Sequence, residues 1–153
     1  MSDSIEGPVV VVGTDGSPTA TEAVRRAAGI VRARGGRLHL VTAVDALPRS
    51  APGIDIPDEL VARIGSPGLR ADDILRRAAE VLAVGLDVEI HVESGEVADV
   101  LIRVADAVGA DVIVVGNQRP ALMPKFIARS VSDRVSQHAR CDVLVVNTDG
   151  AAA

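Results

Sequence analysis

The chain has 153 residues, 48% of them hydrophobic and 24% charged, which predicts one folded domain and excludes a disordered chain. Its formal net charge of −5 argues against nucleic-acid binding, because phosphates repel an acidic surface. A single cysteine, Cys141, excludes an intramolecular disulfide and a zinc cluster built on cysteines. We see no signal peptide and no apolar run of about 18 residues, so we expect a cytoplasmic protein without membrane contact.

Short apolar runs rich in β-branched residues predict strands, and segments with helical periodicity separate them. Ser17 followed by Pro18 is typical of a helix start, and Gly35–Gly36 of a helix end. In chain order we predict β1 at Pro8–Val12, α1 at Pro18–Arg34, β2 at Leu38–Val44, α2 at Arg70–Val84, β3 at Asp87–Val92, α3 at Val97–Val108, β4 at Asp111–Val115, α4 at Ser130–His138 and β5 at Val143–Val146.

This alternation predicts an α/β fold, a Rossmann-like doubly wound sheet of five parallel strands in the chain order β1-α1-β2-α2-β3-α3-β4-α4-β5. We expect a single domain over residues 1–153 with flexible termini at 1–7 and 149–153. Two connections are long, Asp45–Gly68 and Asn117–Arg129, and loops of this length in compact domains are often functional.

Ligands of open α/β sheets bind beyond the carboxyl ends of the strands. Two such ends are specialised here: Gly13–Ser17 after β1, and Gly116–Ser132 after β4. The second leads into the start of α4, where free backbone amides and hydroxyl groups favour an anion.

The ordered set of these segments resembles the universal stress protein family over nearly the whole chain. The resemblance implies a homodimer with a regulatory or protective role in stress response. The residues supply no general base, metal cage or nucleophile with its partner, so we expect a protein that is not an enzyme, with a weak ATPase activity at most. The segments that carry the resemblance are Val9–Ser17, Leu40–Asp45, Gly95–Glu96, Gly109–Gly116, Ser130–Val135 and Cys141–Val146.

The resemblance also implies a site for ATP or another adenine nucleotide. Asp15, beside Thr14, would face the adenosine, and Ala43 would offer backbone atoms to the adenine. Phosphates and ribose would meet the residues that surround the start of α4, namely Gly116, Ser130, Val131 and Ser132.

One departure from the family pattern concerns the phosphate loop. Nucleotide-binding members carry glycines at two positions that are Arg119 and Arg129 here, whereas Gly116 and Ser130 are retained. If those positions need a positive φ, each side chain costs roughly 1–2 kcal/mol, and its Cβ hinders close approach to a phosphate.

Three interpretations follow from this departure. In the first, the loop has lost the ability to bind ATP. In the second, it binds a nucleotide through the guanidinium groups of Arg119 and Arg129. In the third, it binds another anion. If no ligand binds, the protein is a protein–protein interaction module.

Other chemistry is not indicated. The chain lacks a Walker loop, a Gly-x-Gly-x-x-Gly fingerprint and a Gly-x-Ser-x-Gly elbow. His39, His91 and His138 are scattered without metal-ligand spacing, so we expect no metal site and no catalytic residue. Cys141 is expected to be a buried, inert thiol.

The last strand predicts a partner. Val143–Val146 is apolar and is expected at the edge of the sheet, where an unpaired strand invites another chain. Members of the family dimerise through the equivalent strand, so we expect an antiparallel homodimer contact here. Asp142 stands where the family usually has proline.

Overall fold

A computed structural model of the chain describes residues 7–44, 67–117 and 131–147. The helices and strands alternate along these residues as the sequence pattern predicts. Their bounds are β1 Val9–Gly13, α1 Pro18–Arg34, β2 Arg37–Val44, α2 Pro67–Leu82, β3 Val88–Ser94, α3 Val97–Val108, β4 Val112–Asn117, α4 Val131–His138 and β5 Asp142–Asn147.

The five strands form one sheet in the order β3-β2-β1-β4-β5, and every neighbouring pair is parallel. The predicted Rossmann-like α/β fold is therefore confirmed. From β1 the chain winds outward through β2 to β3, then crosses back to β4 and β5 on the other side. The order reverses between β1 and β4, which is where ligands of such sheets bind.

Helices cover both faces of the sheet, and two apolar cores result. One core packs α1 and α2 against the face that carries Val10 and Val12. The other packs α3 and α4 against the face that carries Val11. All three valines are fully buried, because the central strand has helices above and below it.

The start and end of α1 follow the predicted local chemistry. The hydroxyl of Ser17 accepts a hydrogen bond from the backbone N–H of Ala20 at 3.2 Å, and Pro18 occupies the first helical turn. The helix ends at Arg34 and is followed by Gly35, whose φ of 73° lies in the left-handed region that favours glycine.

Several predicted boundaries were wrong by a few residues. Helix α2 begins at Pro67, so the last two residues of the predicted loop Asp45–Gly68 are helical, and it ends at Leu82. Proline suits a first turn because its missing N–H has no partner there. Strand β3 continues to Ser94, because it remains paired with β2 as far as Val44.

The opposite half of the sheet shows the same kind of correction. Strand β4 begins after Asp111, whose carboxylate accepts a hydrogen bond from the Val9 N–H at 2.7 Å. It continues to Asn117, which pairs with Asn147 at the end of β5. The remaining residues of both long connections lie outside the described residues. The same holds for the predicted flexible termini, of which only Gly7 is described. Of the helices in the described ranges, none is both long and apolar enough for a bilayer crossing.

Candidate functional site

A cleft of about 280 Å³ opens at the carboxyl ends of β1, β2 and β4, where the strand order reverses. Its position is the one that the sheet topology assigns to a ligand. Five of the predicted site residues line it: Thr14, Asp15, Ala43, Gly116 and Val131. Further lining residues, which the sequence analysis did not name as site residues, are Gly13, Ser17, Thr19, Ala20, Val41, Thr42, Val97, Leu101 and Val115.

Hydrogen bonds hold the end of β1 against the end of β2. The buried Thr14 donates its N–H to the carbonyl of Val41 at 2.9 Å. In return, the hydroxyl of Thr42 donates to the carbonyl of Thr14 at 2.5 Å. The Thr14 hydroxyl itself accepts the N–H of Gly16 at 3.1 Å. These bonds make the wall of the cleft rigid and use the Thr14 side chain to shape the turn.

Asp15 projects at the exposed rim of the cleft. One carboxylate oxygen accepts the N–H of Ser17 at 2.8 Å, which is the turn role common for aspartate before a helix. A carboxylate has several acceptor positions, so Asp15 keeps capacity for a further donor such as a sugar hydroxyl. Asp15 is the only charged residue among the described lining residues. That part of the wall therefore offers no cation to a phosphate.

The walls of the cleft are mostly apolar. Ala43, one residue before the end of β2, is half-buried, and Val97 and Leu101 present one face of α3 from successive turns. Val115 of β4 forms part of a further wall. A flat, weakly polar ring fits such walls better than a charged group does, because small-molecule pockets hold apolar surface with a few placed polar groups.

Glycine is needed at position 116 for a steric reason that the sequence did not reveal. A Cβ at this position would lie 2.8 Å from both the methyl carbon and the carbonyl oxygen of Thr19, in the first turn of α1. The close approach of β4 to α1 therefore requires glycine, whether or not a ligand is present.

The start of α4 lies at the same cleft, since Val131 lines it. Ser132 is 4% exposed and is not among the lining residues, so its predicted contact with a ligand has no support from the cleft geometry. Arg119, Arg129 and Ser130 lie outside the described residues. The segment that carries them leaves β4 directly after Asn117 and returns at Val131.

A larger depression of about 520 Å³ lies between α1 and α2. Apolar helix residues such as Val24 and Ile74 line it, together with Arg25, Asp73 and Arg77. It also reaches the turn after β1, but most of its wall is helix surface. The smaller cleft is the better candidate, because three strand ends and three helix starts converge on it.

Two of the three histidines, which look scattered along the sequence, lie side by side in the fold. His39 in β2 is 3% exposed, and its ring lies beside that of His91 in β3. His138 is exposed at the end of α4. The sequence analysis missed the pairing of His39 with His91. Only the register of β2 against β3, which places His39 opposite Glu89, could have revealed it.

Comparisons with known proteins agree with this architecture. A model of the universal stress protein family matches residues 8–147. A relative from Staphylococcus aureus, named as a universal stress protein, is 29% identical over 143 residues, which is 92% of this chain and 84% of that protein.

Two solved structures share both fold and sequence with the chain. One is a universal stress protein in complex with cAMP, 32% identical with a TM-score of 0.67, covering 94% of this chain and 98% of that one. The other is a protein of the same family from Burkholderia pseudomallei, 31% identical with a TM-score of 0.63, covering 91% and 95%.

Proposed function

Because this chain belongs to the universal stress protein family, we propose that it acts in stress response as a sensor that binds an adenine nucleotide in the strand-end cleft. The observation that carries the proposal is the cleft itself, with apolar walls, a rigid Thr14–Thr42 edge and Asp15 at its rim. The relative solved with cAMP, at 32% identity, supports an adenine nucleotide as the ligand class.

A nucleotide with a single phosphate suits this chain better than ATP. The described cleft of about 280 Å³ lies just below the range of ligand sites, about 300 to 1,000 Å³, so a compact nucleotide suits it better than a triphosphate. Its described walls contain no cation. The glycines that close on a triphosphate in the family are replaced by Arg119 and Arg129. We therefore infer an impaired ATP loop beside a retained nucleoside cleft.

We also infer that the cleft binds and does not catalyse. Among its described lining residues, Asp15 is the only titratable group, and the hydroxyls of Ser17, Thr14 and Thr42 have no histidine beside them in the lining set. Nucleophilic catalysis needs a hydroxyl with an adjacent base. The expected role is regulatory, with occupancy of the cleft changing what the protein contacts.

The first test is the ultraviolet spectrum of the desalted protein. The chain has no Trp or Tyr, so it absorbs very little where adenine absorbs, and bound nucleotide is directly visible. Equilibrium dialysis with labelled cAMP, AMP and ATP then ranks the ligands, and we expect both monophosphates to bind more tightly than ATP. Absence of binding by all three would contradict the proposal and favour a ligand-free interaction module.

A matched pair of variants tests the location. Ala43→Leu places a larger side chain at the end of β2 in the cleft, so it should weaken binding. Ala107→Leu makes the same change on the exposed surface of α3 and should leave binding unchanged. If the two variants bind the nucleotide with equal affinity, the nucleotide does not bind in this cleft.

Two double variants separate the possible roles of Arg119 and Arg129. Replacing both by Ala removes the guanidinium groups, whereas replacing both by Gly also restores the family pattern. If the arginines hold phosphate, both double variants lose affinity. If the arginines merely obstruct the loop, only the Gly pair gains affinity for ATP.

We further propose a homodimer formed through β5, with Val143–Val146 at its centre. The strand lies at the edge of the sheet, and its Leu144 is 37% exposed. An edge strand with exposed apolar side chains favours pairing with a second copy.

Light scattering after size-exclusion chromatography tests the dimer. Leu144→Asp should shift the protein towards monomer, because it buries a charge at the interface. Val81→Asp makes the same change at a position on α2 that is 69% exposed, and it should not alter the mass. Dimers of unchanged mass in both variants would exclude the β5 contact.

A further inference from the structure

Three side chains with metal-binding atoms meet on the two strands at one side of the sheet. His39 lies in β2, and Glu89 and His91 lie in the edge strand β3. The parallel register pairs His39 with Glu89 and Val41 with His91. Because alternate residues of a strand share a face, all three side chains project from the same side of the sheet.

Two distances within this cluster are close to the spacing of ligand atoms around a metal ion. The Nδ1 atom of His39 lies 2.9 Å from Nε2 of His91 and 3.6 Å from Oε2 of Glu89. All the potential ligand atoms lie within 4.8 Å of one another. A tetrahedral zinc ion with bonds of about 2.0–2.1 Å holds its ligand atoms about 3.3 Å apart. The two distances lie on either side of that value.

The cluster also has a path for an ion to enter. His39 is 3% exposed, His91 is half-buried, and the side chain of Glu89 is 55% exposed. The ligand atoms therefore lead from solvent towards the interior at an edge strand.

The charges around the cluster favour a cation. Arg37 on the same strand is paired with Asp87, Nε to Oδ2, at 2.9 Å. Glu93, two residues beyond His91, faces Arg103 of α3 at 3.8 Å. The charges cancel within each of these two pairs, so the carboxylate of Glu89 leaves the cluster with a net negative charge.

We propose that His39, Glu89 and His91 form a binding site for a divalent transition-metal ion, with zinc as the reference ion and water completing its coordination. Two imidazoles and one carboxylate are a recurrent ligand set for such ions. The proposal replaces the expectation of no metal site, which rested on spacing along the chain alone. The ion would tie β3 to β2 at the edge of the sheet, and the site is independent of the nucleotide cleft.

Cobalt(II) is the direct probe, because its visible absorption reports tetrahedral coordination in a protein without a chromophore of its own. Tag-free protein is treated with EDTA, desalted and titrated with Co²⁺, and Zn²⁺ is then added to displace it. We expect one saturable equivalent with a visible band that zinc abolishes. We also expect zinc to raise the midpoint of thermal unfolding, since a ligand that binds only the folded state stabilises it.

Glu89→Gln and His91→Ala test the ligands, because both positions are accessible enough for the fold to tolerate the change. Since loss even of an outer-shell partner costs about 10–100-fold in metal affinity, we expect each variant to bind Co²⁺ at least about tenfold more weakly. His138→Ala and Cys141→Ser remove the other histidine and the only thiol, and both should bind as the parent does.

Circular dichroism confirms that each variant is folded. A titration without saturation, or without a visible band, would overturn the proposal. So would folded Glu89→Gln and His91→Ala variants with unchanged affinity, because the cluster would then be a ring-to-ring hydrogen bond with an adjacent ion pair. Loss of binding in His138→Ala or Cys141→Ser would instead assign the metal to those groups and would equally refute the site.

Discussion

Replacing Gly116 by alanine should destabilise the protein through one identifiable clash. The new Cβ would lie 2.8 Å from the methyl carbon of Thr19, 2.8 Å from its carbonyl oxygen and 3.2 Å from its carbonyl carbon. Favourable carbon–carbon contacts are about 3.5–4.0 Å, so the first contact is too short by about 0.7–1.2 Å. The methyl carbon ends a side chain, whereas the carbonyl belongs to the backbone of α1 and cannot move without the helix.

We expect a loss of about 1–3 kcal/mol in the free energy of unfolding, the range for overpacked cores. For a chain of this size, the thermal midpoint falls by about 2–4 °C for each kcal/mol. Thr19→Ala in the Gly116→Ala background removes the methyl contact and leaves the carbonyl contact. It should therefore restore only part of the loss, and a double-mutant cycle measures that part.

Gly29→Ala is the matched control. Gly29 lies exposed in the middle of α1, and nothing lies within 4 Å of a Cβ built there. The same substitution should stabilise the protein at that position by about 0.5–1 kcal/mol, because alanine is the better helix residue. The substitution of glycine by alanine should therefore lower the free energy of unfolding at position 116 and raise it at position 29.

Urea unfolding followed by far-ultraviolet circular dichroism is the assay, since the absence of Trp and Tyr makes intrinsic fluorescence unsuitable. A Gly116→Ala protein as stable as the parent would refute the packing argument. If that stable variant also failed to bind nucleotide, the glycine would serve the ligand instead of the fold.

Three further predictions concern other parts of the fold. Burial, and then the nearby Asp106, raise the pKa of the Cys141 thiol. At mildly alkaline pH the thiol should therefore react with iodoacetamide more slowly than a free cysteine does, and unfolding in urea should abolish the difference in rate. Leu75→Ala should cost about 2–5 kcal/mol in urea unfolding, because the side chain is fully buried and leaves a cavity; a loss below about 1 kcal/mol would mean that α2 is not packed as described. Ser17→Ala should cost about 1 kcal/mol by removing the cap on the Ala20 N–H, and Ser17→Asp should retain most of the stability; equal losses in both would exclude a capping role.

Much of the fold was predictable because its signals are local. Val9–Val12 reads as a buried strand from four consecutive β-branched residues, and Ser17–Pro18 specifies a helix start through one hydroxyl and one fixed φ. The position of the cleft followed from the strand–helix alternation, since parallel sheets bind ligands at their carboxyl edge. Thr14, Asp15 and Ala43, which were predicted to bind a ligand, line this cleft, and their contact with a ligand stays a prediction.

The roles of individual residues were less predictable than their positions. Ser132 was predicted to meet a ligand; it is buried in the first turn of α4 and does not line the cleft, so that contact stays a prediction. Gly116 was interpreted as a phosphate-loop glycine, and the structure shows that its contact with Thr19 already requires it. Both roles depend on what packs against the residue, which lies elsewhere in the chain.

The sequence by itself determined the alternation of strands and helices, the caps of α1, the family and the general location of the cleft, because periodicity, capping and turn chemistry act over a few neighbouring residues. Only the tertiary structure decided that His39 and His91, 52 positions apart, share one face beside Glu89. Strand register is set by the packing of whole elements against each other, so no pattern within either strand records which residues will face one another.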